Sequence, residues 1–273
     1  MNRLLIACVL MIPAVVWAAP PAAKDIPPDI ASLLAPDADR SAAVFAFAGN
    51  GVFQGTAPQA SDLPKGHVAK NVVGSYSANK RAYWASADLA ASATPKDIDG
   101  HASALWEKTD AGWKLVAFSI VPTATSKQQQ AANKKGLMPP KIRDTNAASG
   151  EYFLTVFDKV FGHDAVDTVA ADHKDAVMFG SGPNERFVGG GAIQRTLNSW
   201  SLDLTLRDGM ASGLTKGRLL WIAVNMDARP ANHDKATPTP YRVFLIFQGV
   251  GDGDYVLVHA SFAAMTEQAW PAS

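Results

Sequence analysis

Runs of apolar residues separated by turn residues predict that this chain folds mainly into β-strands. The runs are rich in Val, Ile, Phe and Tyr, and clusters of Gly, Pro, Asn and Asp bound them, which is typical of strands. "KTDAGW" and "GVGDGDY" are predicted hairpin connections, because glycine supplies the positive φ that tight turns need. The predicted strands form two sets: residues 44–48, 82–89, 102–108 and 113–120, and residues 177–180, 219–227, 241–248 and 255–262.

Helical periodicity is confined to a few segments. Apolar residues recur at helical spacing in 149–162, between a serine N-cap and a glycine, and again in 191–201. The segment before the first set of strands, 25–39, is short and interrupted by prolines, so it predicts a poor helix. Residues 122–148 are polar and contain a proline pair, which indicates a linker, with a short helix at 126–133.

The two sets of strands resemble each other in sequence. "RAYWASADLAAS" resembles "RLLWIAVNMDAR", "DAGWKLVAFSI" resembles "GDGDYVLVHASF", and "VFAFAGNGVF" resembles "AVMFGSGPNERF". The three pairs occur in the same order at nearly the same offset, which predicts an internal duplication. The predicted domains are 25–121 and 149–264, with Trp84 equivalent to Trp221 and Phe118 equivalent to Ala260.

The first 18 residues carry the pattern of a secretory signal peptide. Arg3 precedes the apolar run 4–17, and Val16-Trp17-Ala18 is a small-residue cleavage site. A membrane anchor is the alternative, but a run of roughly 14 residues that contains a proline is too short to span a bilayer comfortably. We therefore expect a mature chain that begins at Ala19 and is periplasmic or secreted. The single cysteine, Cys8, lies in the predicted signal peptide, so the mature chain would have no disulfide.

Composition argues against several classes of partner. Lys+Arg and Asp+Glu both number 25, so the net charge is zero and there is no basic stripe to favour nucleic acid. No second long apolar run occurs, so we expect no membrane span in the mature chain. The six histidines show no metal-ligand spacing, and "FVGGGA" lacks the Lys-Ser/Thr of a phosphate-binding loop. No metal and no cofactor is predicted.

The order of elements in the second set resembles a known family. "DAVMFGSGPNERFVGGGAIQRTLNSW", "LLWIAVNMD", "TPYRVFLIFQ" and "YVLVHASFA" resemble a SnoaL-like domain of the nuclear-transport-factor-2-like (NTF2-like) superfamily. The first set is a weaker match. The resemblance implies an α+β fold of two cone-shaped curved antiparallel sheets wrapped on helices, the first copy shortened, with a cavity at the open end. Members include isomerases, cyclases, dehydratases, binding modules and structural modules, so the fold does not fix the function.

His259 is the main candidate for chemistry. It lies in an otherwise apolar strand, and strict alternation places it on one face with Tyr255, Leu257 and Ser261. The internal alignment sets His259 against Ala117, so packing alone does not require a histidine there. A role in a pocket and a hydrogen-bonded core position are equally supported. Asp227 could pair with His259 as acid and base, but its place at a strand end also fits an exposed carboxylate.

Other polar and aromatic residues could line the same cavity. Trp221, Asn225 and Asp227 share one face of their strand, and Tyr152 and Trp200 occupy the predicted helices. Helical spacing makes ordinary core packing the more common role for the two helical aromatics. We predict the ligand-binding set Tyr152, Trp200, Trp221, Asn225 and Ser261.

Three functions remain open at this level. The first is an exported binding or accessory protein that holds a small, mostly apolar ligand in its second domain. The second is an isomerase, cyclase or hydrolase with His259 as general base, which needs a histidine reachable from solvent. The third is a structural interaction module, which predicts a sealed histidine with both ring nitrogens bonded to protein. The two halves could pair as a pseudo-dimer, or the chain could form a homodimer.

Overall fold

A computed structural model describes residues 27–35, 37–38, 40, 46–47, 53–54, 66–91, 98–139, 173–212, 219–231, 233, 235–250 and 254–265 of the 273-residue chain. More than half of these residues lie in two large β-sheets. The predicted signal peptide, the predicted helix 149–162 with Tyr152, and the second half of the predicted linker lie outside the described residues.

The first sheet has four antiparallel strands in the order β3-β4-β5-β6. A short 3-10 helix, Ile30–Leu34, buries Ile30 and Leu33 against one face of this sheet, and Asp29 caps its first turn. A two-stranded hairpin of β1 and β2 lies beside β6. The strands are β1 Ala46–Phe47, β2 Phe53–Gln54, β3 Val68–Tyr76, β4 Ala82–Ala90, β5 Gly100–Thr109 and β6 Gly112–Pro122.

The second sheet has six strands in the order β8-β7-β12-β11-β10-β9. All neighbours are antiparallel except β7 and β12, which run parallel. The helix α2, Gly190–Ser199, follows β8 and buries Ile193. The strands are β7 Val177–Phe179, β8 Arg186–Val188, β9 Leu202–Ser212, β10 Leu219–Pro230, β11 Thr239–Val250 and β12 Asp254–Ala264.

The chain between the two sheets begins with the helix α1, Ser126–Lys134. Thr125 caps it in a reciprocal capping box with Gln128, which satisfies two backbone donors of its first turn. Asn133 donates from Nδ2 to Thr239 Oγ1 at 2.8 Å, so α1 is attached to β11. The first part of the predicted linker therefore packs against the second sheet.

The two sheets pack against each other through one shared core. A cluster between them combines Trp84 and Leu105 of the first sheet with Trp221, Phe244 and Ile246 of the second, all fully buried. Each sheet also has a separate core on its other face. Both faces of the central strands are consequently buried, and β10 is apolar on both sides for most of its length.

Strands β3 to β6 follow the same order in the first sheet as β9 to β12 in the second, and β4 to β6 pair in the same register as β10 to β12. Strands β3 to β6 correspond to β9 to β12, and β1 lies beside β6 as β7 lies beside β12. A β-bulge interrupts the pairing of the last two strands directly after the equivalent row in each sheet. That row is Trp84, Leu105 and Ala117 in the first sheet and Trp221, Ile246 and His259 in the second.

Most predicted elements within the described residues are present. Seven of the predicted strands match β4 to β7 and β10 to β12 within a few residues, β1 covers part of 44–48, and both α1 and α2 are helices where the sequence predicts them. The strands β2, β3, β8 and β9 were missed. β3 and β9 are sheet edges with exposed residues, and β2 and β8 have only two and three residues, so none of them shows a long apolar run.

Candidate functional site

His259 does not line a cavity; it is sealed between the two sheets. Its side chain is completely buried and packs on the ring of Trp84, with centroids 5.6 Å apart and planes 25° from parallel. Nε2 lies 2.6 Å from Ser103 Oγ of the first sheet, and Nδ1 lies 3.0 Å from the carbonyl oxygen of Val177. Both nitrogens are therefore bonded to protein, which corrects the pocket role suggested by the sequence.

These two contacts settle the protonation of the ring. A carbonyl oxygen only accepts, so Nδ1 carries the proton and donates to Val177, and Nε2 accepts from the Ser103 hydroxyl. Burial in an apolar site, together with the nearby His101, lowers the pKa of His259 to about 3, against the opposing effect of the hydrogen bond to Val177. The imidazole is neutral at physiological pH and has no path to solvent, so it does not exchange protons with a substrate.

A β-bulge explains why alternation misplaced His259. β12 pairs His259 with Ile246 but Leu257 with Phe247, which leaves Val258 as an extra residue. One extra residue exchanges the faces of everything beyond it. Tyr255 and Leu257 consequently share the outward core with Ala260 and Phe262, while His259 points toward the first sheet.

Trp221, Asn225 and Ser261 also lie between the sheets rather than in a cavity. Trp221 is part of the shared core, and Asn225 is fully buried with its amide between Arg242 and Asp208. Ser261 is 2% exposed. The sequence grouped the β10 residues correctly on one face. It could not show that this face meets the other sheet, because both faces of β10 are buried.

Asp227 does not pair with His259. Its carboxylate accepts from Arg207 Nε at 2.6 Å at the partly exposed edge of the sheet. Asp227 of β10 is opposite Pro240 of β11, and His259 of β12 is opposite Ile246 of β11. Pro240 and Ile246 are six residues apart along β11. At about 3.3 Å per residue that is about 20 Å, far beyond hydrogen-bond reach. The predicted acid–base pair is not formed.

A cavity of about 480 Å³ opens on the other face of the second sheet. Its apolar wall contains Trp200, which the sequence predicted as a ligand-binding residue, packed edge-on against Phe262 with centroids 5.0 Å apart. Met226, Leu204 and Ala228 extend this wall. The described lining comes from α1, the turn between β7 and β8, the end of α2, and strands β9 to β12.

The polar end of the cavity is built where α1 meets the turn between β7 and β8. Gln129 donates from Nε2 to Ser181 Oγ at 2.8 Å, and the backbone N–H of Ala124 donates to the Ser181 carbonyl at 2.7 Å. The Tyr241 hydroxyl is hydrogen-bonded to Ser181, and burial raises its pKa, so it remains protonated at neutral pH. Glu185 stands at the same end.

A second hollow, of about 620 Å³, lies on the first sheet. Its described walls come from only two places, the segment around the 3-10 helix and the β5–β6 hairpin, and they include Leu33, Trp106, Trp113 and Lys114.

Sequence reasoning missed most of the cavity lining. Tyr241, Phe262 and Glu185 were not selected, although Tyr241 and Phe262 belong to correctly predicted strands. The available signal was the turn "GSGPNE" between two short strands, where small residues surround a carboxylate. Among the residues that the structure describes, no group of three His, Cys, Asp or Glu side chains could hold a metal ion, and no helix is long and apolar enough to cross a membrane.

Solved structures similar to this chain have NTF2-like or cystatin-like folds. Nuclear transport factor 2 from Cryptosporidium parvum is 12% identical with a TM-score of 0.35, over 45% of this chain and 98% of that chain. An NTF2-like protein of unknown function from Pseudomonas putida is 15% identical with a TM-score of 0.34, over 46% of this chain and 99% of the other. A protein with a cystatin-like fold from Caulobacter vibrioides is 10% identical with a TM-score of 0.34, over 44% and 89%.

Sequence comparisons add nothing to this assignment. No protein-family model matches the chain, and no curated protein matches it at a significant level. The structural matches include NTF2-like proteins, the family that the second set of strands resembles in sequence, and each covers slightly less than half of this chain.

Proposed function

We propose that this protein is an exported small-molecule-binding protein whose ligand occupies the cavity of the second sheet. The cavity carries this proposal: it has about 480 Å³ of space, an aromatic and aliphatic wall, and polar groups gathered at one end. Ligand sites commonly combine these features, since apolar burial supplies affinity and a few polar groups fix orientation.

Enclosure favours this cavity over the hollow of the first sheet. The described walls of the second-sheet cavity come from two helices, a turn and four strands, whereas those of the first-sheet hollow come from one segment and one hairpin. A ligand surrounded on more sides loses more of its solvent-exposed surface, which is the main source of binding free energy for an apolar molecule. We therefore assign the ligand to the second sheet.

Catalysis by His259 has no support in the geometry. A general base must reach the proton that it removes, and His259 is sealed with both nitrogens bonded. The structural-module alternative predicts no binding at all, so a binding experiment separates it from our proposal.

The proposal includes a tandem arrangement and export. The equal strand order and register support two copies of one NTF2-like unit, paired within the chain through the faces of their sheets. The pattern of residues 1–18 supports export and a mature N-terminus at Ala19. N-terminal sequencing of exported protein tests the second point, and material that retains Met1 would contradict it.

Binding can be tested with the neutral apolar probe 2-naphthalenemethanol, followed by ligand-observed NMR. The substitution Trp200→Ala removes an aromatic wall, and Ala228→Trp fills the cavity from β10. We expect each to weaken binding at least about tenfold, as the loss of a central contact in a desolvated site does. Circular dichroism would check that each variant remains folded.

The first-sheet hollow supplies matched controls. Trp113→Ala and Ala111→Trp make the same two changes there, and both residues line that hollow. We expect them to leave the affinity within about twofold of the wild-type value. If these controls weaken binding while Trp200→Ala and Ala228→Trp do not, the ligand site belongs to the first sheet. If the probe does not bind at all, the proposal fails.

A further inference from the structure

We infer that the natural ligand of the second-sheet cavity is an organic ammonium compound, with an apolar body against the aromatic wall and its cationic group at Glu185. This inference rests on the proposed function. It goes beyond that function because it names the charge of the ligand and the residue that selects for it.

The turn between β7 and β8 holds the Glu185 carboxylate in place. The backbone N–H of Gly182 donates to Glu185 Oε2 at 2.8 Å, and the N–H of Gly180 donates to the Glu185 carbonyl at 2.7 Å. The Glu185 side chain also packs directly over Gly180, where any β-carbon would collide with it. A glutamate on an exposed turn ordinarily samples many rotamers, so this arrangement fixes an anion at the cavity.

The surrounding groups suit a cation. Trp200, Tyr241 and Phe262 present aromatic rings to the cavity, and the faces of such rings attract ammonium groups. The Tyr241 hydroxyl is protonated at neutral pH, so it adds no second negative charge and can accept a hydrogen bond from an ammonium N–H. In the part of the lining that the structure describes, Glu185 is the one ionisable acid, and no Lys, Arg or His accompanies it.

Electrostatics then discriminates among ligands of one shape. A carboxylate ligand at this end of the cavity would meet Glu185 with like charge and would lose its hydration without a cationic partner. An alcohol of the same size loses little hydration free energy and gains a neutral hydrogen bond. An ammonium gains an ion pair with Glu185 and favourable contacts with the faces of the aromatic rings. The expected order of affinity is ammonium, then alcohol, then carboxylate.

Three probes with a common naphthalene body test this order: 2-naphthylmethylamine in its protonated form, 2-naphthalenemethanol and 2-naphthoate. Isothermal titration calorimetry at pH 7 and low salt would measure each with the wild-type protein. We expect the ammonium to bind at least about tenfold more tightly than the carboxylate. Glu185→Gln should weaken ammonium binding about three- to fivefold, the range of a partly exposed ion pair. It should leave the alcohol within about twofold.

Glu107→Gln on β5 makes the same chemical change away from the cavity and should change none of the three affinities. Gly180→Ala should act like Glu185→Gln, because it displaces the carboxylate without removing it. If the carboxylate probe binds as tightly as the ammonium, or if Glu185→Gln leaves ammonium binding unchanged, the inference is wrong while binding of the alcohol still supports the proposed function. If none of the three probes binds, both are wrong.

Discussion

Each of the two sheets carries a row of three polar side chains at the same place, but the rows differ in composition. The middle residue of each row hydrogen-bonds to both neighbours, at distances of 2.7 to 3.2 Å. In the second row, Arg242, Asn225 and Asp208 are paired across β11, β10 and β9. In the first row, His101 of β5 is paired with Asp88 of β4, and the third member, Asn71, lies in a β-bulge of β3 directly after Lys70, the residue opposite Asp88.

The two rows balance their charges differently. In the second sheet a cation and an anion stand at the two ends, and the neutral amide of Asn225 connects them. In the first sheet the carboxylate of Asp88 is central, and burial lowers the pKa of His101, so this histidine is neutral at pH 7. The cation beside Asp88 is Arg186, whose Nε lies 3.5 Å from the carboxylate and which belongs to β8 of the second sheet.

Because of this difference, the two halves depend on each other to different extents. The second row is complete within its own sheet, whereas the first row takes its balancing charge from across the contact between the sheets. A buried carboxylate without a cation is costly, because the interior solvates charge poorly. The first half is therefore expected to need the second more than the second needs the first.

The largest effect should come from breaking the self-contained row. Arg242→Ala removes the donor that bonds the buried Asn225 Oδ1 and the cation that balances Asp208, and should lower the free energy of unfolding by about 3–5 kcal/mol. His101→Ala removes a neutral ring from the equivalent place and should cost about 1–3 kcal/mol. Urea denaturation followed by tryptophan fluorescence would compare them. Equal losses would show that charge does not distinguish the two rows.

His259 allows a second test of the difference between the two sheets, because the first sheet has Ala117 in the equivalent position. His259→Ala loses two hydrogen bonds and a ring stack, and should cost about 2 kcal/mol at pH 7. A pocket role for His259 would predict that this change leaves folding nearly intact and weakens ligand binding. The sealed position instead predicts lost stability with the cavity unaffected.

The same residue predicts a dependence on pH. The folded pKa of His259, about 3, lies below its ordinary value of 6.5, so the unfolded chain binds an additional proton between these values. The stabilisation is complete above pH 6.5 and is lost as the pH falls toward 3, at up to about 1.4 kcal/mol per pH unit. His259→Ala should reduce this slope, whereas Ser103→Ala, which keeps the ring, should retain it. A slope unchanged by His259→Ala would assign the acid sensitivity to other groups.

The smallest effect tests the charge that crosses between the sheets. Arg186→Ala removes the cation beside Asp88 and a hydrogen bond from Nη2 to the Asn71 carbonyl at 3.1 Å. Because the Arg186 side chain is 25% exposed, we expect a loss of only about 1 kcal/mol, decreasing with added salt. Arg229→Ala, which breaks a more exposed pair with Asp203, is the matched control and should cost almost nothing. Equal effects would show that the first row does not need its partner sheet.

Local patterns in the sequence predicted the elements well where they were long and buried. The strands β4 to β6 and β10 to β12 follow from apolar runs bounded by turn residues, and the helices α1 and α2 also lie where the sequence predicts them. The equivalence of Trp84 with Trp221, and of Ala117 with His259, is also visible in the sequence, because aligned residues keep the same register in both sheets.

The candidate site was predicted poorly, and the reasons are physical. Trp200 is the one predicted ligand-binding residue that the structure describes in the cavity wall. Trp221, Asn225, Ser261 and His259 were assigned to a pocket because they share polar or aromatic character along their strands, yet they lie between the sheets. Tyr152 lies outside the described residues, so its role remains a prediction.

The sequence alone predicts most of the long strands and the helices, and it predicts that two stretches of the chain repeat one pattern, because these predictions depend on local periodicity and on turn residues. Which face of each strand meets the other sheet, and which face meets the cavity, follows only from the packing of the sheets. Periodicity separates the two faces of a strand but cannot name their surroundings when both are buried, and the single extra residue at Val258 exchanged them again. The long-range contact between His259 and Ser103, 156 residues apart, arises from that packing and from no local pattern.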